Sequence, residues 1–130
     1  MENSLGKFIV LEGIDGCGKG TQTKLLSEFL SENYGCMTNH YPEYGKPIGD
    51  TIDAWLHKKY EFNAKAQALL YFTDFIKDDE TIGNWLKSGK MVVVDRYFTS
   101  TIVYQNVSGF SLERMLKLAE LFDLRKPDMT

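Results

Sequence analysis

Residues Gly13-Ile14-Asp15-Gly16-Cys17-Gly18-Lys19-Gly20-Thr21 restrict the fold more than any other stretch of the chain. They follow the short apolar run Phe8-Ile9-Val10-Leu11 and open onto a helical pattern, so a strand must turn sharply into a helix here. Glycine, four residues, then Gly-Lys is the spacing of a phosphate-binding loop. The glycines let the backbone curl until its N–H groups point at one centre. The helix that follows adds the positive end of its dipole. Gly13 through Thr21 form a candidate cradle for nucleotide phosphates, with Lys19 set to reach the β- and γ-phosphates. A plain glycine-rich turn would explain the glycines but not the order strand, loop, lysine, helix. Position 20, usually a Ser or Thr that ligates magnesium, is glycine here, and Thr21 is the candidate substitute.

The chain has 130 residues, a formal net charge of −3 and 43% hydrophobic residues, which suits one soluble domain with a real core. Mild acidity gives no global attraction to nucleic acid. No apolar run is long enough to span a membrane and no leader pattern is visible. Two cysteines, Cys17 and Cys36, make no disulfide framework and fit a reduced cytoplasmic setting. Cys17 lies near a helix N-terminus, which lowers a thiol pKa, or is simply a small filler of the loop.

Strand and helix patterns alternate, which predicts an α/β fold with a parallel sheet. Strands are expected at about 7–12, 36–41 and 91–94. Helices are expected at about 19–33, 48–59, 63–77, 80–87, 99–106 and 111–122. The first helix shows Leu25, Leu26, Phe29 and Leu30 as its apolar face, and Asn63 reads as an N-cap. Ligands of open parallel sheets bind at the carboxyl ends of the strands. The glycine loop, Tyr41-Pro42-Glu43 and Asp95-Arg96-Tyr97 all leave such ends, so three polar features are expected on one rim.

Asp95 directly follows the buried-type strand Val92-Val93-Val94, where a carboxylate beside a phosphate loop can hold Mg²⁺ through water. Arg96 can fork onto phosphate oxygens; a surface Asp–Arg pair is the weaker alternative. Glu43 is equally readable as a group acting on a sugar hydroxyl or hydrated metal and as a solvated turn residue. Tyr71 and Phe75 share one helix face, where packing into the core competes with stacking on a base. Tyr104-Gln105 either meets a base edge or finishes a helix. His40 and His57 show no metal-ligand spacing and read as structural or surface residues.

With these elements in order, the chain resembles the thymidylate kinase family. The resemblance rests on Leu11-Glu12-Gly13-Ile14-Asp15-Gly16 leading into Gly18-Lys19, on Tyr41-Pro42-Glu43, on Asp95-Arg96-Tyr97, and on Ser100 through Tyr104-Gln105. Gly18-Lys19-Gly20-Thr21-Gln22 is more like adenylate kinase, a cousin in the same superfamily. The resemblance implies a three-layer α/β/α P-loop fold and transfer of the ATP γ-phosphoryl group to dTMP with Mg²⁺. It implies ATP phosphates on Gly13 to Thr21, with Lys19, Asp95 and Arg96 as the catalytic set and Thr21 and Asp95 serving the metal. It places Asp15 on the deoxyribose 3′-hydroxyl and Tyr71 on thymine. It places Tyr41, Pro42, Glu43, Arg96 and Tyr97 near the acceptor, with Ser100, Tyr104 and Gln105 lining the nucleoside pocket. It also implies a homodimer through the helices around 48–56 and 69–76, with small-molecule nucleotides as the other partners and neither nucleic acid nor membrane.

Three departures carry expectations of their own. The family's thymine-bonding arginine, four residues after the stacking aromatic, is Phe75 here, which predicts a relaxed choice among dTMP, dUMP and UMP. An arginine common after the Pro-Glu pair is Tyr44, with Lys46 nearby. Family members run to about 200 residues, so the reading expects an N-terminal portion whose lid and adenine-binding part are absent. The sheet's next strand would begin near Asp128-Met129-Thr130, leaving the first strand at an edge. Another nucleoside monophosphate kinase, or a noncatalytic nucleotide-binding portion, are the alternative functions.

Overall fold

The computed structural model describes residues 5–13, 18–99, 101 and 109–130. In chain order the elements are β1 (Phe8–Leu11), α1 (Lys19–Ser31), β2 (Cys36–His40), α2 (Pro47–Leu56), α3 (Ala64–Ile76), α4 (Asp79–Lys87), β3 (Met91–Asp95) and α5 (Leu112–Leu121). The strands form a parallel sheet in the order β1-β3-β2. β3 is therefore central, and all of Val92, Val93 and Val94 are buried. Successive strand residues face opposite ways, so burial of all three means both faces of the sheet are covered. This is the physical reason for the continuous apolar run. Val92 and Val94 share a cluster with Phe8, Val10, Phe72, Phe75, Leu86 and Tyr97, while α1 packs across β2 and β3.

α1 departs from the expected face. Leu25 and Phe29 are 54% and 63% exposed, and Thr23, Leu26, Ser27 and Leu30 are the less exposed stripe. These four sit at helical spacing, and small Thr23 and Ser27 let the helix lie close to the sheet. α2 ends at Leu56 rather than near Lys59, because Lys58 turns to φ 59° and the chain leaves the helix. Asn63 caps α3, accepting from the Ala66 N–H at 2.9 Å, and Ser111 caps α5 in the same way at 3.3 Å. Most of the helix expected at 99–106 lies outside the described residues.

β1 has β3 on one side, and on the other Asp128 and Met129 pair with it. The Val10 N–H donates to the Met129 carbonyl at 2.9 Å, and the Asp128 N–H donates to the Phe8 carbonyl at 2.8 Å. The Asp128 carboxylate also accepts the Phe8 N–H at 2.8 Å.

Candidate functional site

The sheet register assembles the rim. Leu11, Asp95 and His40 lie side by side at the carboxyl ends of β1, β3 and β2. The described segments beyond those ends meet there: residues 18–21 at the start of α1, the 41–44 loop after β2 and the 95–96 turn after β3. An open cleft of about 480 Å³ occupies this rim. Its walls are Gly18, Lys19, Gly20 and Thr21 from the first segment, His40, Tyr41, Pro42 and Tyr44 from the second, and Asp95 and Arg96 from the third.

Each wall has a local cause. Gly18 takes φ 93° at the N-cap of α1, a left-handed conformation that glycine adopts without steric cost. No side chain among the described residues caps this helix start. Its leading N–H groups and the Lys19 side chain thus stand at the cleft, an arrangement suited to an anion. Arg96 is held at φ 67°, left-handed despite its Cβ, and its N–H donates to the Leu11 carbonyl at 2.9 Å. Non-glycine residues in that region cost energy and concentrate at functional sites. The next N–H, of Tyr97, donates to the Glu12 carboxylate at 2.6 Å. Glu12 therefore ties the Asp95-Arg96 turn to the end of β1.

The 41–44 loop is fixed from α2 and α3. A Cβ on Gly49 would lie 2.0 Å from the Glu43 carbonyl oxygen, so only glycine lets α2 approach the loop this closely. The Asp74 carboxylate, fully buried, accepts the Glu43 N–H at 3.0 Å and pairs with the Lys77 ammonium at 3.0 Å. Burial holds the Asp74 carboxyl above its ordinary range, against the opposing pull of the Glu43 amide and Lys77. Burial draws Lys77 downward, but hydrogen bonds to Asp78 and Asp74 outweigh it and keep the ammonium above its usual value. The Tyr41 hydroxyl is raised far beyond its ordinary pKa, first by burial and then by Asp78, to which it donates at 2.8 Å.

Several residues assigned to the acceptor side from sequence are found elsewhere. Phe75 is 1% exposed, its ring centre 5.1 Å from those of both Tyr41 and Tyr97. The position of the family's base-bonding arginine is thus filled by core packing. Tyr97 is also buried, donating its hydroxyl to the Arg125 carbonyl at 2.8 Å, and acts as a pin between the rim and the core. Tyr71 packs edge-on against Trp55 at 5.9 Å, joining α3 to α2, and does not line the cleft. Glu43 does not line it either; its carboxylate turns back to Lys77 at 3.6 Å. Gly13 is described but is not one of the cleft residues. Ile14, Asp15, Gly16, Cys17, Ser100, Tyr104 and Gln105 lie outside the described residues. The sequence reading missed His40, which reaches the cleft only because it ends β2 in register with Asp95.

Among the described residues no cluster of three His, Cys, Asp or Glu side chains is placed to hold a metal by itself. Thr21 and Asp95 in the same cleft as Lys19 and Arg96 form instead a sparse oxygen set beside two cationic residues. Such a set suits Mg²⁺, which keeps several waters and binds through one or two protein oxygens and the phosphates themselves. A larger cavity, about 790 Å³, lies against α5 and residues 123–130, is lined partly by Val10, Leu116, Ala119 and Leu124, and shares no residue with the cleft. No helix among the described residues is long and apolar enough to cross a membrane.

A family model described as thymidylate kinase matches residues 11–130. The thymidylate kinase of Caldicellulosiruptor saccharolyticus is 38% identical over 132 residues, covering 95% of this chain and 62% of the relative. That of Desulfotalea psychrophila is 33% identical over 119 residues, covering 90% and 58%. Among solved structures, thymidylate kinase from Ehrlichia chaffeensis superposes with a TM-score of 0.80 at 30% identity, over 95% of this chain and 68% of that one. Thymidylate kinase from Candida albicans, described as revealing the origin of broad substrate specificity, gives 0.77 at 27% identity, over 95% and 60%. The chain spans about three fifths of the length of the two curated relatives named here.

Proposed function

The chain belongs to the thymidylate kinase family, and on that premise we propose that its cleft serves transfer of the γ-phosphoryl group of ATP to dTMP, giving dTDP and ADP. The observation that supports this most is the meeting of Lys19, Thr21, Asp95 and Arg96 in one open cleft at the carboxyl edge of a parallel sheet. Phosphoryl transfer asks little covalent chemistry of the protein; it asks for positioning and for cations where charge spreads over the phosphoryl oxygens. Lys19 and the N-terminus of α1 hold the donor phosphates. Arg96, its backbone pinned by its own N–H and by Glu12 through Tyr97, lends its guanidinium to the transferred group and the acceptor phosphate. Thr21 and Asp95 would hold Mg²⁺ together with the nucleotide, and the ion would neutralise charge on the phosphates. His40 and Tyr44 face the same space and form part of the acceptor's wall.

Asp15, Ser100, Tyr104 and Gln105 keep the nucleoside roles that the family resemblance gives them. A homodimer through α2 and α3 is part of the same reading, and Leu56 and Leu69 are exposed on those helices; light scattering tests it. A cytoplasmic setting is part of the same reading. The comparisons favour dTMP kinase activity over the alternatives weighed from sequence, another monophosphate kinase or a noncatalytic portion. The test is an acceptor panel of dTMP, dUMP, UMP and AMP with ATP and Mg²⁺, products resolved by chromatography. dTDP as the leading product is expected; a panel led by UDP or ADP formed from AMP refutes the assignment.

A further inference from the structure

Beneath the 41–44 loop lies a charge cluster that the transfer chemistry does not use. Lys77, at the end of α3, directs its ammonium among Asp78 at 2.7 Å, Asp74 at 3.0 Å and Glu43 at 3.6 Å. It also donates to the Asp74 carbonyl at 2.9 Å and stands 5.3 Å from the centre of the Tyr41 ring. Tyr41 in turn donates to Asp78, and the Glu43 N–H to Asp74. The end of α3 thus grips the loop at its first and third residues, through side chain and backbone. Lys77 is the member common to all three carboxylates. Its side chain is 24% exposed and that of Glu43 15%, so the charges are only partly screened by water. Without the ammonium, three carboxylates would face one another and drive Glu43 away from α3.

The loop held this way supplies Pro42 and Tyr44 to the cleft, while Glu43 is drawn out of it. We propose that Lys77 is a positioning residue for the acceptor: its ammonium ties Glu43 and Tyr41 to α3, and so fixes the wall of the cleft against which the monophosphate binds. The inference rests on the kinase reading of the cleft. A purely structural ion cluster would change stability and affect both substrates alike. A positioning role touches the acceptor and spares the donor, whose described residues, Gly18 to Thr21, are not members of the cluster.

Calorimetric binding of dTMP and of ADP to the purified protein separates these cases. Lys77→Met is expected to weaken dTMP by about tenfold or more and leave ADP within about twofold. Lys77→Arg is expected to recover most of the loss, since a guanidinium can span the same carboxylates. The double variant Lys77→Met with Glu43→Gln is expected to be no worse than the poorer single one, because both break one link. Unchanged dTMP binding in Lys77→Met, equal weakening of both ligands, or additive losses overturn the proposal. Should Lys77→Met fail a thermal-melt check of folding, Glu43→Gln alone decides, with a selective loss of dTMP supporting the proposal and none overturning it. Wild-type protein that binds ADP but no pyrimidine monophosphate refutes the kinase reading and takes the proposal with it. Wild-type binding with unresponsive variants refutes only the role of Lys77.

Discussion

Gly49→Ala is the sharpest perturbation of the acceptor wall, because one methyl group does all the work. The new Cβ would lie 2.0 Å from the Glu43 carbonyl oxygen, 2.3 Å from its carbon and 2.9 Å from the Tyr44 nitrogen. All three are backbone atoms, so no side chain can rotate out of the way. Carbon–oxygen contact becomes comfortable near 3.4 Å, so α2 and the loop must part by roughly 1.4 Å. Overpacking of this kind costs about 1–3 kcal/mol. Alanine's advantage over glycine in a helix returns about 0.5–1 kcal/mol, leaving a net loss of up to about 2.5 kcal/mol. The kinetic effect is larger, since misplacing a substrate-facing segment by about 1 Å is worth about 100-fold. Steady-state rates with each substrate varied in turn are expected to show kcat/KM for dTMP falling by about that factor while KM for ATP stays near wild type. A Gly49→Ala variant with wild-type kcat/KM for dTMP and an unchanged melting temperature would refute the claim that α2 sets the loop.

Other perturbations test other parts. Phe75→Ala is expected to destabilise the protein by about 3–5 kcal/mol in guanidinium unfolding, because a fully buried ring packed on Tyr41 and Tyr97 is lost; a loss under about 1 kcal/mol would mean that Phe75 is no core residue. Burial raises the Asp74 pKa above 3.8 in the folded state, so the native protein holds that proton more tightly than the unfolded chain. The group's contribution to stability is full below pH 3.8 and is lost as pH rises through the native value. Asp74→Asn is expected to flatten that fall in pH-dependent unfolding curves, and curves parallel to wild type would contradict the assignment. dTMP and dUMP share the same hydrogen-bonding edge and differ by one methyl group, so discrimination between them is expected at about 10–100-fold; a ratio near 10⁴ would contradict this expectation.

The parts of the fold legible in sequence were those with a strong local pattern. β1 and residues 91–94 of β3 are uninterrupted apolar runs, and Asn63 and Ser111 announce the helix starts they cap. β2, with Cys-Met-Thr-Asn-His, has little strand character of its own, and its position between α1 and the Pro-Glu loop was the better guide. The order β1-β3-β2 was not legible, because pairing between distant strands leaves no local trace. The same holds for α1, where counting apolar residues favoured Leu25 and Phe29 and the sheet took the Thr23–Ser27 stripe. In the cleft, Lys19, Thr21, Asp95 and Arg96 were readable because each follows a strand end at a set spacing. His40 carried no such mark. Asp74, Lys77 and Asp78 are visibly neighbours at the end of one helix, yet nothing local says that Glu43, 31 residues before Asp74, meets them.

The central claim is that this cleft moves a phosphoryl group between nucleotides rather than merely holding one. Incubating the protein with ATP labelled at the γ-phosphorus, Mg²⁺ and dTMP, then locating the label, tests it directly. Label in dTDP is expected, with the rate cut by about 100-fold or more in Lys19→Ala and in Arg96→Ala, since each removes a cation from the transferred group. Label found only in ATP and inorganic phosphate, or dTDP formed at wild-type rates by either variant, would contradict the account.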